Sequence, residues 1–480
     1  MKRRNFLLLS SVAASYLLTG NFVMLSSLHA STTNNDDNED YFTAPLSIPP
    51  LLEGKSIDGV EHYDLNIQKS KHSFFKNILT NTYGINGSYL APTLKLVNGK
   101  KVSINYTNKL DESTTMHGHG MHLPAKMDGG PHQTIQPNKT WSAKYTVNQK
   151  ACTNWYHSHA EGKTAQQVYK GLAGFIIIED EESKKLDLPK RYGKDDIPLV
   201  FQDRFFHKSG DFYYQPSMMQ TMMGYNGNVF MTNGVVNPYI DVEAKELRLR
   251  LLNGSNSTMY NLKFNDNRAF KQIATDNSFL EKPVSMNSII LSPGERAEII
   301  VDLTNSYGNS FYLGDAIQNK IFVKLNVSKK AMTKTKLPSV LTKLEKYDES
   351  EAIRTRSFTL SAMRGRVFIN NKIMDMHRID EVVPLNQVEI WEVSNKRMMS
   401  MDHNFHIHGT HFMILERNGE SMYVDENEAG YKDTVYIPAG ESVKLILKMT
   451  DYKDEKLPYM YHCHFLEHED RGMMGQFIVS

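Results

Sequence analysis

The sequence predicts an all-β protein made of β-sandwich domains, and three observations carry that expectation. Lys101-Val102-Ser103-Ile104-Asn105-Tyr106 alternates polar and apolar side chains, and Gly174-Phe175-Ile176-Ile177-Ile178 is a short apolar run; both patterns suit sandwich strands. No long stretch repeats apolar residues with the period of an amphipathic helix. The chain has 480 residues, more than one hydrophobic core organises, and a prior of about 150 residues per domain divides it into about three.

At the N-terminus, Lys2-Arg3-Arg4-Asn5-Phe6-Leu7-Leu8 precedes an apolar run broken by Ser10, Ser11, Ser15 and Gly20, and Leu28-His29-Ala30 offers a small-residue cleavage site. Residues 1–30 therefore read as a twin-arginine export signal, the alternative being an uncleaved membrane anchor. The mature chain is expected in the periplasm of an organism with an outer membrane, with no stable membrane association after cleavage. Fifty-five basic residues against 54 acidic ones leave a formal charge of +1, so nucleic acid and anionic membranes are not expected as partners.

The motifs that carry chemistry are histidine pairs. Thr115-Met116-His117-Gly118-His119-Gly120 and Trp155-Tyr156-His157-Ser158-His159 supply two, and Asp402-His403-Asn404-Phe405-His406-Ile407-His408 and His462-Cys463-His464 supply two more. One such pair on a strand is ordinarily a solvated polar face; four pairs in two clusters are a metal site. Alternate strand residues face the same side, so His462 and His464 point one way and Cys463 the other, and one strand can serve two centres. Cys463, with His468 five residues on and Met473 ten on, supplies the thiolate, imidazole and weak thioether of a blue-copper electron-transfer site, with His403 as its second imidazole. A disulfide from Cys463 to Cys152, the only other cysteine, would destroy that site, so none is expected; Cys152 reads as a small core residue.

These four blocks, in order and spacing, resemble those of multicopper oxidases, the group that includes laccases and ferroxidases, from about Thr43 to Ser480. Met127-Asp128-Gly129-Gly130-Pro131, Gly171-Leu172-Ala173-Gly174 and Leu247-Arg248-Leu249-Arg250-Leu251-Leu252-Asn253-Gly254 resemble further family blocks. Leu466-Glu467-His468-Glu469-Asp470 followed by Gly472-Met473-Met474 is most similar to the bacterial cuprous oxidases of periplasmic copper tolerance. The resemblance implies three cupredoxin-like Greek-key β-sandwich domains at residues 43–190, 196–328 and 357–480, the last carrying the type 1 copper, with residues 329–356 as a linker.

It also implies four copper ions. His403, Cys463 and His468 would be equatorial ligands of the type 1 copper and Met473 its axial ligand. His117 and His406 would hold the type 2 copper; His119, His157 and His464 one type 3 copper; and His159, His408 and His462 the other. Asp128 and Glu469 would be the acids that serve the cluster with protons. Substrate would give single electrons at the type 1 site, Cys463 would pass them through the backbone to His462 and His464, and dioxygen would be reduced to water. No ligand position is substituted, which counts against the copper-free relatives of this fold that serve in cell division.

The substrate is less legible. Thioethers bind Cu(I), and the chain has 25 methionines, with Met398, Met399 and Met401 just before His403 and Met218, Met219, Met222 and Met223 in a second cluster. Met399 and Met401 are candidates for a substrate-copper site, although the cuprous oxidases have an aspartate where Met399 stands. Their long methionine-rich insert is also missing, since the segment from Lys329 to Arg356 holds only Met332. That leaves an open type 1 edge that phenols or aromatic amines could reach, as in a laccase, with ferrous iron a third candidate. A reading of another class is a copper-binding or structural exported protein without turnover. A monomer is expected.

Overall fold

The computed structural model describes residues 41–331, 336–363, 365–396 and 401–480. The proposed export signal lies outside them. Among the described residues the chain is almost all β: six sheets, of five to seven strands each, pair face to face as three sandwiches. The three α-helices among the described residues are short, α1 (Thr164–Lys170), α2 (Met218–Met223) and α3 (Leu466–Asp470), as the lack of helical periodicity implies.

Each sandwich closes around its own apolar core. The first packs Leu65, Ile104, Tyr156 and Ile176; the second Leu199, Leu249, Ile299 and Phe322; the third Trp391, Phe405, Leu445 and Phe477. The two runs singled out in the sequence lie in strands Lys101–Asn108 and Ala173–Glu179. Of the latter, only Glu179 is not fully buried. Both faces of that strand are covered, which is why it reads as a continuous apolar run.

Two boundaries differ from the expected ones. Ala44–Pro45 pairs in parallel with Pro238–Tyr239 of the middle sandwich, and Leu46 packs into that core, so the chain begins in the second sandwich before building the first. The expected linker 329–356 is strand at both ends: Lys320–Lys330 carries the middle sheet into it, and Ala352–Met363 starts the third sandwich within it. Charged side chains made these ends look like a connection, because they occupy the exposed face of paired strands. No helix among the described residues is long and apolar enough to cross a membrane.

Candidate metal centres

The histidine motifs meet at the seam between the first and third sandwiches. Strand His117–His119 pairs antiparallel with Cys152–His157, setting His117 opposite His157; strand His403–Ile407 pairs with Asp454–His462, setting His406 opposite His462. The last strand ends at His462 rather than running through His464. Cys463 is held beyond it by its N–H, which donates to the Met473 carbonyl at 3.1 Å. Across the seam His117 stacks on His408 with centroids 3.9 Å apart, and His119 stacks on His406 at 3.7 Å.

All eight imidazoles are buried. Ligand atoms of His119, His157 and His464 lie within 4.8 Å of one another, as do those of His159, His408 and His462, and those of His117, His406 and His408. His462 Nε2 stands 3.2 Å from His159 Nε2 and 3.1 Å from His408 Nε2. Imidazoles about 2.0 Å from a shared tetrahedral ion would stand about 3.3 Å apart, so this spacing suits a metal. The opposite ring nitrogens are anchored. Nδ1 of His117 faces the Asp128 carbonyl at 2.9 Å, Nδ1 of His157 the Ser158 carbonyl at 2.8 Å, and Nδ1 of His406 the Asp433 carbonyl at 2.9 Å. Nε2 of His117, His119, His157 and His406 has no partner at all. A buried nitrogen without a partner is costly unless it holds a metal, and an anchored Nδ1–H with a free Nε2 is how metal-binding histidines are set up.

Burial also keeps six of the eight rings neutral. It pushes His119, His157, His159, His408, His462 and His464 well below the usual histidine range, and the neighbouring imidazoles push the same way. Neutral imidazole is the form that binds a metal.

The second constellation lies inside the third sandwich. Cys463 Sγ is 3.6 Å from His403 Nδ1 and 3.7 Å from His468 Nδ1. Met473 is fully buried beside it, its N–H donating to the His468 carbonyl at 2.9 Å. Burial holds the His403 ring well below its usual range, takes His468 down to about 4, and lifts the Cys463 thiol to about 12. A metal here must displace the thiol proton, which a soft ion bound by sulfur does. Both donor sets fit copper.

Both expected acids are at the cluster. Asp128 is buried; its Oδ2 is 2.7 Å from His408 Nδ1, while its carbonyl holds His117. Glu469, projecting from α3, puts Oε1 3.3 Å from His159 Nδ1 and Oε2 3.3 Å from His462 Nδ1. Burial, reinforced by Asp470, holds its carboxyl well above the usual range. The methionines fall differently. Met401 is 3% exposed and belongs to the third core, and Met399 lies outside the described residues. The other cluster reaches a candidate ligand through its backbone: the carbonyl of Met222 in α2 accepts from His468 Nε2 at 2.9 Å.

Three residues at these centres were not singled out in the sequence. Asn404 accepts the His464 N–H at 2.6 Å, Asp433 sits under His119 and His406, and Arg296 of the middle sandwich binds Asp433. Asn404 lies between two candidate ligands of one motif, which was a usable signal. Asp433 and Arg296 have none, because a lone charged residue reads as surface until its partner is known.

Three cupredoxin-like sandwiches with a cysteine–histidine centre and an eight-histidine cluster define a multicopper protein. Profiles of the multicopper oxidase family match residues 66–183, 194–332 and 338–480. The multicopper oxidase mco of Staphylococcus haemolyticus is 40% identical over 440 residues, covering 91% of this chain and 92% of the relative. The cell division protein FtsP of Escherichia coli is 34% identical over 453 residues, covering 91% and 93%. Among solved structures, a laccase from Pediococcus acidilactici is 35% identical with a TM-score of 0.85, covering 91% of this chain and 93% of that one. A laccase-like multicopper oxidase CueO from Ochrobactrum sp. is 36% identical with a TM-score of 0.84, covering 91% and 100%. The chain belongs to the multicopper oxidase family, an oxidoreductase family that uses copper.

Proposed function

We propose that this protein is a four-copper oxidase that takes single electrons from Cu(I) and reduces dioxygen to water, serving copper tolerance in the periplasm after twin-arginine export. His403, Cys463, His468 and Met473 would hold the type 1 ion. His117 and His406 would hold the type 2 ion, His119, His157 and His464 one type 3 ion, and His159, His408 and His462 the other. Bound copper supplies one-electron redox chemistry at the first centre and multi-electron reduction of dioxygen at the second. Cys463 is joined by single peptide bonds to His462 and His464, a covalent path between the centres. Asp128 and Glu469 stand at ring nitrogens of the cluster histidines, where carboxyl groups can hold and hand over protons. Burial of every ligand keeps bulk water out. The full ligand set favours turnover over a structural role.

One observation carries the Cu(I) reading. Helix α2 covers the edge of His468, and its methionines Met218, Met219 and Met223 are 72%, 65% and 42% exposed. Exposed thioethers on the helix whose Met222 carbonyl meets the histidine through which electrons would enter suit a soft cation. The test is oxygen uptake by the copper-loaded protein, comparing a buffered Cu(I) donor with a phenol. Native protein is expected to prefer Cu(I). Replacing Met218, Met219 and Met223 with leucine is expected to lower kcat/KM for Cu(I) about tenfold, about 1.4 kcal/mol, and to leave the phenol rate unchanged. An equal loss on both donors, or a native preference for phenol, would overturn it.

A second reading, oxidation of phenols or aromatic amines, is favoured by a cavity of about 350 Å³ beside α2 and α3, lined by Tyr214, Thr221, Glu467 and Asp470. That volume is at the lower end for a small organic ligand. The same pair of donors separates the two.

A further inference from the structure

The middle sandwich contributes none of the copper-type ligands, yet one of its turns reaches both centres. Residues Ser292-Pro293-Gly294-Glu295-Arg296 enter the strand Arg296–Asp302 against the histidine seam. Asn404 Nδ2 donates to Ser292 Oγ at 3.0 Å and to the Pro293 carbonyl at 2.8 Å, and Asn404 Oδ1 accepts the N–H of His464. Gly294 has φ +84°, and a Cβ on it would stand 3.1 Å from the His464 ring, so the turn packs directly on a ligand.

Arg296 is wholly buried and its donors are all committed. Its fork grips Asp433 at 2.8 and 2.6 Å, Nη2 donates to Asn154 Oδ1 at 2.8 Å, and Nε donates to the Thr153 carbonyl at 3.1 Å. Asp433 in turn lies 3.5 Å from Nδ1 of His119 and 3.5 Å from Nδ1 of His406, the stacked pair that joins the first and third sandwiches. The Asp433 carbonyl takes the Nδ1–H of His406 and leaves Nε2 free for a metal. A planar guanidinium bound bidentately to a carboxylate fixes its orientation as well as its distance. Outer groups that orient ligand histidines govern metal affinity.

We propose that Arg296 is a positioning residue of the histidine cluster: from the middle sandwich it sets Asp433, and through Asp433 the rings of His119 and His406, so that copper occupancy of the cluster depends on a domain that supplies no ligand. The proposal rests on the histidines holding copper as assigned above. It is tested on the full copper-loaded chain dialysed against graded chelators. Copper per chain, the type 2 electron paramagnetic resonance signal, the type 3 near-ultraviolet absorbance and the blue type 1 band are read side by side. Arg296→Met is expected to weaken copper retention at the cluster about 10- to 100-fold while keeping the blue band. Arg296→Lys, which keeps the charge and loses the fork, is expected to fold, restore part of that occupancy and alter the type 2 signal.

Native retention and an unchanged type 2 signal in Arg296→Lys would overturn the proposal, even if Arg296→Met fails to fold. Equal loss of the blue band and the cluster signals in a folded variant would overturn it too, since that marks a general scaffold role. Native protein that takes up copper only at Cys463 would sink the ligand assignment, and this proposal with it.

Discussion

Replacing Asp128 separates two things its carboxylate is placed to do. Oδ2 makes a 2.7 Å contact with His408 Nδ1 in a buried site, and the residue's backbone carbonyl independently holds His117. A hydrogen bond to a charged group is worth about 1.5–3 kcal/mol net, which is about 10- to 100-fold in an equilibrium constant. Asp128→Ala removes only the carboxylate, so it should weaken copper retention at the cluster by that factor while the type 1 band survives. Asp128→Asn keeps an oxygen that accepts from His408 Nδ1 but cannot give up a proton as a carboxylic acid does. It should therefore hold copper almost as the native protein does and lose turnover by about 100-fold or more, the usual share of a proton donor. Copper retention by chelator competition and steady-state oxygen uptake are measured on the same samples. Native turnover in the asparagine variant would refute the proton role, and native retention in the alanine variant would refute the positioning role.

Three further outcomes are expected. Cys463→Ser should abolish the blue band and turnover while leaving the cluster copper in place; oxygen reduction at the native rate would sink the electron path. Gly129→Ala should cost about 3 kcal/mol or more in denaturant unfolding, because Gly129 has φ +74° and a Cβ there would meet the Met116 carbonyl oxygen at 1.8 Å. Burial raises the Glu298 carboxyl, but Arg248 and Arg250 more than offset it and hold it below the ordinary range. Its contribution is then full above about pH 4.3 and lost as pH falls further. Glu298→Gln should lower stability by about 3–5 kcal/mol at neutral pH and flatten the acid limb of a stability–pH curve; an unchanged limb would refute this.

How much of this was legible depended on how local the signal was. The candidate ligands fall in short motifs, so His462, Cys463 and His464 could be proposed for two centres before any fold was known, although the strand itself stops at His462. The strands themselves were visible for the same reason, as in Lys101–Asn108. What stayed hidden was made by docking between domains. Met401 lies two residues from His403, yet it turns into the core, while α2, far upstream in the chain, brings the Met222 carbonyl to His468 Nε2. Arg296 and Asp433 are 137 positions apart and gain meaning only as a pair. Ala44–Pro45 joins the middle sheet because a parallel pairing with Pro238–Tyr239 is available there, which nothing in that dipeptide announces.

The position of the eight histidines on the seam has an evolutionary corollary. Each sandwich fills its interior with aliphatic and aromatic side chains, while the cluster imidazoles meet across the seam between the first and third. Outline and chemistry are thus inherited separately: a descendant that traded these histidines for other residues would keep its shape and lose its reaction. The relatives found by sequence bear both oxidase and cell-division names. For any chain of this outline, the residues at the seam, not the silhouette, tell an enzyme from a scaffold.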